Sequence, residues 1–94
     1  WQPDITWCGG ITAGLRILDI ARAHNISVVP HRGGETWGLH LIMATDCADL
    51  AEAHSDQWIP KSEGLWIGMP EVVDGYLQPG GSPGFGVVVN EGMV

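Results

Sequence analysis

Basic residues are scarce: four Lys+Arg stand against eleven Asp+Glu, for a formal net charge of -7. So few cations cannot form a stripe that tracks phosphates, and the acidic balance repels polyanions. Nucleic acid and anionic membrane surfaces are therefore excluded as partners. Cysteine is scarce too. Cys8 and Cys47 are too few for a disulfide framework and fit no zinc signature, so they read as reduced thiols of a cytoplasmic protein. No apolar run approaches the length of a membrane span, and no leader pattern of basic residues followed by apolar ones is present. Gly33-Gly34 is not followed by Gly-Lys-Ser/Thr, which excludes a phosphate loop. Internal repeats and low-complexity linkers are missing. The chain opens on Trp1, already against a strand-like run, and so reads as a truncated or processed piece of a longer chain.

What is present is a folded sequence, with 45% hydrophobic residues and five Trp. Gln2–Trp7 reads as a short strand closed by Cys8-Gly9-Gly10, which places Cys8 at a strand end. Ile11–His24 has the pattern of a helix, with apolar residues at Ile11, Leu15, Leu18, Ile20 and Ala21. Thr12 is available as a cap, Asp19 and Arg22 are spaced to pair, and Asn25 is a C-terminal stop. Ile26–Val29 is a buried strand by length and β-branching, and Pro30 takes the chain out of the sheet. A second helix, opened by Glu35 or Thr36, covers Trp37–Thr45; its Trp37 and Leu41-Ile42-Met43 are assigned to the core. Leu50–Ala53 suits a third short strand or a helix equally. From Ser55 onward Gly and Pro punctuate every few residues, with Tyr76–Leu77 and Val87–Val89 as small strands. The β-α-β-α-β rhythm predicts an α/β fold, with helices covering a parallel sheet.

Chemistry concentrates at Val28–Gly34, Val-Val-Pro-His-Arg-Gly-Gly. A buried strand fixes the backbone there, and a loop at its C-terminal end exposes His31. A strand, a helix and a parallel strand place Asp4 beside His31, where a carboxylate fixes the tautomer of the ring and equips it as a general acid/base. Arg32 and Glu35 lie on the same loop, positioned to contact substrate hydroxyls or a neighbouring loop. His24, His40 and His54, with Cys47, show no short metal-ligand spacing on one element. No zinc site is expected from them, and His40 is placed in the packing of the second helix.

Pro3-Asp4-Ile5-Thr6-Trp7-Cys8-Gly9-Gly10-Ile11-Thr12, then Val28-Val29-Pro30-His31, then a segment ending in Glu52, resembles the C-terminal part of the enolase superfamily. The likeness is to its mandelate racemase/muconate lactonizing enzyme branch, and most to acid-sugar dehydratases of the rhamnonate dehydratase type. Pro70-x-x-x-Asp74-Gly75-Tyr76 and Pro83-Gly84-Phe85-Gly86 resemble the family's C-terminal tail. The interval of 27 residues from Asp4 to His31 resembles that between the family's sixth and seventh barrel strands.

The resemblance implies residues 1–54 as the terminal β/α units, about strands six to eight, of a TIM-type (β/α)7β barrel. Residues 55–94 would be a Gly/Pro-rich segment packing on the barrel or its capping region. It implies His31 as the base that removes the proton α to a carboxylate, oriented by Asp4. In a dehydratase His31 also returns a proton to the departing hydroxide. Glu52 would meet the enediolate from the opposite side as an acid or hydrogen-bond partner, with Asp49 as the alternative. Mg²⁺ would serve the full-length enzyme from carboxylates on earlier strands, leaving no metal ligand in this chain and the chain alone inactive. A sugar-acid substrate, the missing N-terminal part of the chain and assembly into a homo-oligomer are implied with it. Two alternatives stay open: a racemase or epimerase of the same superfamily, and a non-catalytic acidic α/β interaction module that folds by itself.

Overall fold

The structure, a computed structural model, describes residues 1–46, 48–54 and 64–94. The reading of Cys47 as a reduced thiol and the opening of the Gly/Pro-rich segment at 55–63 lie outside the described residues. Helix α1 spans Gly10–Ala23 and helix α2 spans Thr36–Met43. Four two-residue strands follow, β1 Trp66–Ile67, β2 Val72–Val73, β3 Tyr76–Leu77 and β4 Val88–Val89, before a 3-10 turn at Glu91–Met93.

Helix α1 starts at Gly9, in a left-handed conformation without a side-chain cap, so Thr12 is not the cap but a residue of the first turn. The helix ends as its sequence predicts. Asn25 adopts φ 53°, its N–H reaches the Arg22 carbonyl at 3.2 Å, and the Ile26 N–H reaches the Ala21 carbonyl at 2.9 Å. This paired arrangement satisfies carbonyls that the last turn leaves without partners. Asp19 and Arg22 pair at 3.0 Å, and Arg22 also holds Asp46. The buried face of α1 is Gly14, Leu18 and Ala21; Leu15 and Ile20 are exposed. The apolar set of this helix therefore covers two faces, of which one is buried within the described residues.

The predicted strand Gln2–Trp7 is cut short. The Trp1 and Pro3 carbonyls accept from the Val29 and His31 N–H groups at 2.9 and 3.1 Å, and a single parallel bridge joins Asp4 to His31. From Ile5 the chain turns. The Asp4 carboxylate captures the Thr6 N–H at 2.8 Å and the Thr6 hydroxyl at 2.6 Å. Such a local side-chain acceptor competes with a ladder. Cys8 consequently lies in this turn, its N–H on the Asp4 carbonyl at 2.8 Å. Ile26–Val29 is extended alongside residues 1–4 but earns no strand beyond that bridge.

Helix α2 is shorter than predicted, and Met43 is exposed rather than in the core. Leu50–Ala53 is neither strand nor helix. The core joins Ile5, Leu18, Ala21, Val28, Leu41, Ile42 and Ala48. Gly38 sets the fit of α2 to the loop behind His31: a Cβ there would sit 2.8 Å from Gly33 Cα and 3.2 Å from the Gly33 oxygen.

The C-terminal segment pairs with itself and docks on α2. Strands β2 and β3 form a hairpin in the register Val72↔Leu77 and Val73↔Tyr76. Asp74 and Gly75, both at positive φ (50° and 81°), make the mirror-image turn that suits two-residue hairpins. Strands β1 and β4 pair antiparallel. Buried Thr36 donates its hydroxyl to the Phe85 carbonyl. Trp37 meets Trp66 edge-on at 5.5 Å, and the His40 ring meets Phe85 at 5.3 Å. His40 also donates Nδ1–H to the Thr36 carbonyl at 2.6 Å, which places it in helix packing as expected. Among the described residues no helix is long and apolar enough to cross a membrane.

Candidate functional site

Two adjacent parallel segments end at the same level, and each delivers one functional side chain. His31 Nδ1 lies 2.9 Å from Asp4 Oδ2. The Asp4 side chain is mostly covered, whereas that of His31 is 45% exposed, so the ring projects from a fixed support toward solvent. Burial pushes the Asp4 carboxyl up. Hydrogen bonds from the Thr6 hydroxyl, the His31 ring and the Thr6 N–H, with the charge on His31, outweigh it and hold the carboxyl below the usual aspartate range. An ionised carboxylate has no proton to give, so Nδ1 of His31 carries the hydrogen and donates it. In the neutral ring the Nε2 lone pair is then directed away from Asp4.

The loop after His31 turns back at Arg32, which adopts φ 53°. Its N–H donates to Glu52 Oε2 at 2.7 Å, and two residues later the Gly34 N–H donates to the Glu52 carbonyl at 2.8 Å. Glu52 is therefore held to this loop by both its main chain and its side chain. The backbone N–H of Arg32 holds the Glu52 carboxyl below the usual glutamate range, helped by the His54 ring and by the charges of His54 and His31, against the effect of burial. Asp49, the alternative acid, is exposed.

Arg32 and Glu35, expected at a substrate, bind each other: the guanidinium forks onto Glu35 Oε1, and Glu35 Oε2 accepts from the Trp37 indole at 2.7 Å. This pairing explains why Glu35, although it precedes α2, gives no side-chain cap.

One residue escaped the sequence reading of the site. In the sequence His54 stands with His24, His40 and Cys47 as a residue without metal-ligand spacing. Its Nε2 instead lies 3.1 Å from Glu52 Oε2, and its ring meets that of His31 edge-on at 5.3 Å. His24 caps the end of α1 and His40 packs against Phe85, so those two share no centre with it. The available signal was the two-residue step from Glu52 to His54, which puts both on one side of an extended segment.

The arrangement can accept and return a proton at His31 Nε2, with a second ionised acid and a second imidazole on the adjoining segment. Its acidic limb is a prediction. Asp4 and Glu52 both have folded-state values below their ordinary ones, so the stability they contribute is complete only above about pH 5 and is lost as pH falls through the folded values. Thermal midpoints measured from neutrality into acid should fall on that side. Asp4→Asn should lower the neutral midpoint and give a shallower acid slope, and parallel curves for the two proteins would contradict the assignment.

The profile of the family described as enolase C-terminal domain-like matches residues 1–93. L-rhamnonate dehydratase of Saccharopolyspora erythraea is 34% identical over 94 residues, covering 95% of this chain and 24% of that protein. The chain thus spans about a quarter of the length of the curated relative it matches. With residues 1–93 inside the profile, the chain belongs to the enolase C-terminal domain-like family, a family of enzymes with an α/β fold.

Proposed function

We propose that this chain forms the terminal β/α units, about strands six to eight, of a TIM-type (β/α)7β barrel with its C-terminal tail. In that barrel it carries the base of a sugar-acid dehydratase of the rhamnonate dehydratase type. The carrying observation is the Asp4–His31 pair at the ends of adjacent parallel segments, 2.9 Å apart, with Glu52 bound to the following loop. Exposed Trp7, Leu50, Tyr76 and Val94 (88, 67, 77 and 91%) support a chain that packs against further protein. They count against an interaction module that folds by itself.

In this reading Asp4 keeps Nδ1 of His31 protonated, and Nε2 takes the proton α to the substrate carboxylate. The same imidazolium then gives a proton to the departing hydroxide, so one ring serves as base and then acid. Glu52, held ionised, accepts a hydrogen bond from a substrate hydroxyl rather than donating a proton to an enediolate. Arg32 and Glu35, already paired, shape the wall of the loop.

Family members generally use Mg²⁺, a hard cation that demands octahedral oxygen ligands. The one metal-ligating cluster among the described residues, His31, Glu52 and His54, offers one carboxylate and two imidazoles and does not fit it. Magnesium carboxylates are assigned to the part of the enzyme outside this chain, as are the remaining substrate contacts, the homo-oligomer and a cytoplasmic setting.

The test uses the whole protein that carries these residues, with Mg²⁺ and L-rhamnonate or related sugar acids in D2O. Exchange of the α-proton and loss of water are expected, whereas the isolated 94-residue chain should give neither. Turnover by the isolated chain, or no exchange with any sugar acid by the whole protein, would overturn the reading.

A further inference from the structure

We propose that His31, Glu52 and His54 form a binding site for a borderline divalent transition metal, with Zn²⁺ the best-suited ion, and with Asp4 as the outer-shell partner of His31. The inference needs only the positions of these side chains and does not rest on the dehydratase reading.

One ligand-type atom from each of the three residues lies within 4.8 Å of the others. Ligands on a tetrahedral zinc stand roughly 3.3 Å apart at ordinary Zn–N and Zn–O lengths. The His54–Glu52 edge, at 3.1 Å, already has that length. The third corner is closed by drawing together side chains that already lie within 4.8 Å of one another, and that of His31 is 45% exposed.

The donor types select the metal. Two imidazoles and one carboxylate suit zinc and its neighbours, whereas Mg²⁺ and Ca²⁺ prefer all-oxygen shells. His31 commits Nδ1–H to Asp4 and so presents Nε2. A carboxylate behind a ligating histidine is the usual outer-shell arrangement, fixing the tautomer and raising ligand basicity. Two carboxylates, Asp4 and Glu52, also make the local field favourable to a cation. On binding, the metal takes the place of the hydrogen between His54 Nε2 and Glu52; a neutral ring keeps that hydrogen by moving it to Nδ1, and a charged ring releases one proton to solvent. Three protein ligands leave the fourth position to water.

The consequence is exclusion. The lone pair of His31 that would hold a substrate proton is the one the metal occupies, so the transition metal and the base role compete for one atom.

The experiment is a titration of the whole protein with Zn²⁺ alone, without substrate, read by competition with a metallochromic chelator. Co²⁺ serves as a spectroscopic probe of tetrahedral geometry. One equivalent should bind per chain at this site. His54→Ala should weaken it at least tenfold, Asp4→Asn by about 10- to 100-fold, and His24→Ala, at the end of α1, not at all. In case a variant fails to fold, histidine ring nitrogen NMR of the unaltered protein reads the same question: Zn²⁺ should shift His31 and His54 and leave His24 and His40 unmoved. Binding that ignores His54→Ala, or ring shifts confined to other histidines, overturns the site. A dehydratase that binds no zinc here leaves the function intact and removes this inference. Zinc binding in a protein without sugar-acid exchange does the reverse.

Discussion

His31→Asn in the whole protein is expected to slow α-proton exchange by about 10²- to 10⁴-fold, the usual worth of a positioned general base. At about 1.4 kcal/mol per tenfold, that is roughly 3–5 kcal/mol of barrier. Asn is the informative replacement. Its amide can still donate to Asp4, so the support of the site stays satisfied, while the atom that takes the proton is gone. The side chain of His31 is 45% exposed, so little packing is lost and the folded population should hardly change. Circular dichroism and unfolding of the variant check that point. Exchange measured from both epimers of a sugar acid in D2O adds a second discrimination. A dehydratase that relies on this one base shows that slowing for every sugar acid it exchanges. A racemase with a second base on the opposite face loses exchange from one epimer and keeps it from the other. Exchange at the original rate would remove His31 from the chemistry.

Leu18→Ala should have the largest effect on folding, about 2–5 kcal/mol, read as a drop in the urea or thermal midpoint. Leu18 is 1% exposed and sits on the buried face of α1 between Gly14 and Ala21, within a core that also holds Val28 and Leu41. A cavity there cannot easily close. On one side α1 meets α2 at Gly14, where a Cβ would already come within 3.0 Å of Leu41 and Ile5. The loss is a large part of the roughly 5–15 kcal/mol that holds a domain together. Leu15→Ala on the exposed face is the comparison, and it should cost far less. Equal losses for the two would mean that the exposed face of α1 is covered in the whole protein as thoroughly as the buried one.

Sequence was a good guide where the signal is local. The end of α1 was legible at Asn25 because a left-handed residue after the last turn needs no distant partner. The pairing of Asp19 with Arg22 follows from one helical turn, and the small strand at Tyr76–Leu77 is closed by its own Asp74-Gly75 turn. The adjacency of Asp4 and His31 was legible because a strand, a helix and a parallel strand return the chain to the same end.

What failed did so for stateable reasons. The opening strand stops at Asp4 because that side chain takes the Thr6 N–H, a competition that β-propensity does not register. Leu50–Ala53 had no legible partner because its hydrogen bonds go to the loop at Arg32 and Gly34. The alliance of His54 with His31 was hidden by the sequence distance across which the two segments meet. The apolar face of α1 was drawn too wide, since periodicity shows that a residue is apolar and not whether anything covers it.

Glu52 holds the loop after His31 through main-chain donors at two alternate positions, Arg32 and Gly34. The span between the two ends of the site is thus written in backbone, and the side chains along the loop are a separate variable. Those side chains can be exchanged without altering the reach between histidine and acid. Adding or deleting one residue between 31 and 34 would instead put the wrong N–H opposite Glu52. Descendants of this chain should therefore diversify by substitution within the loop and by insertion elsewhere, a separation that lets the loop's surface drift while its frame stays in place.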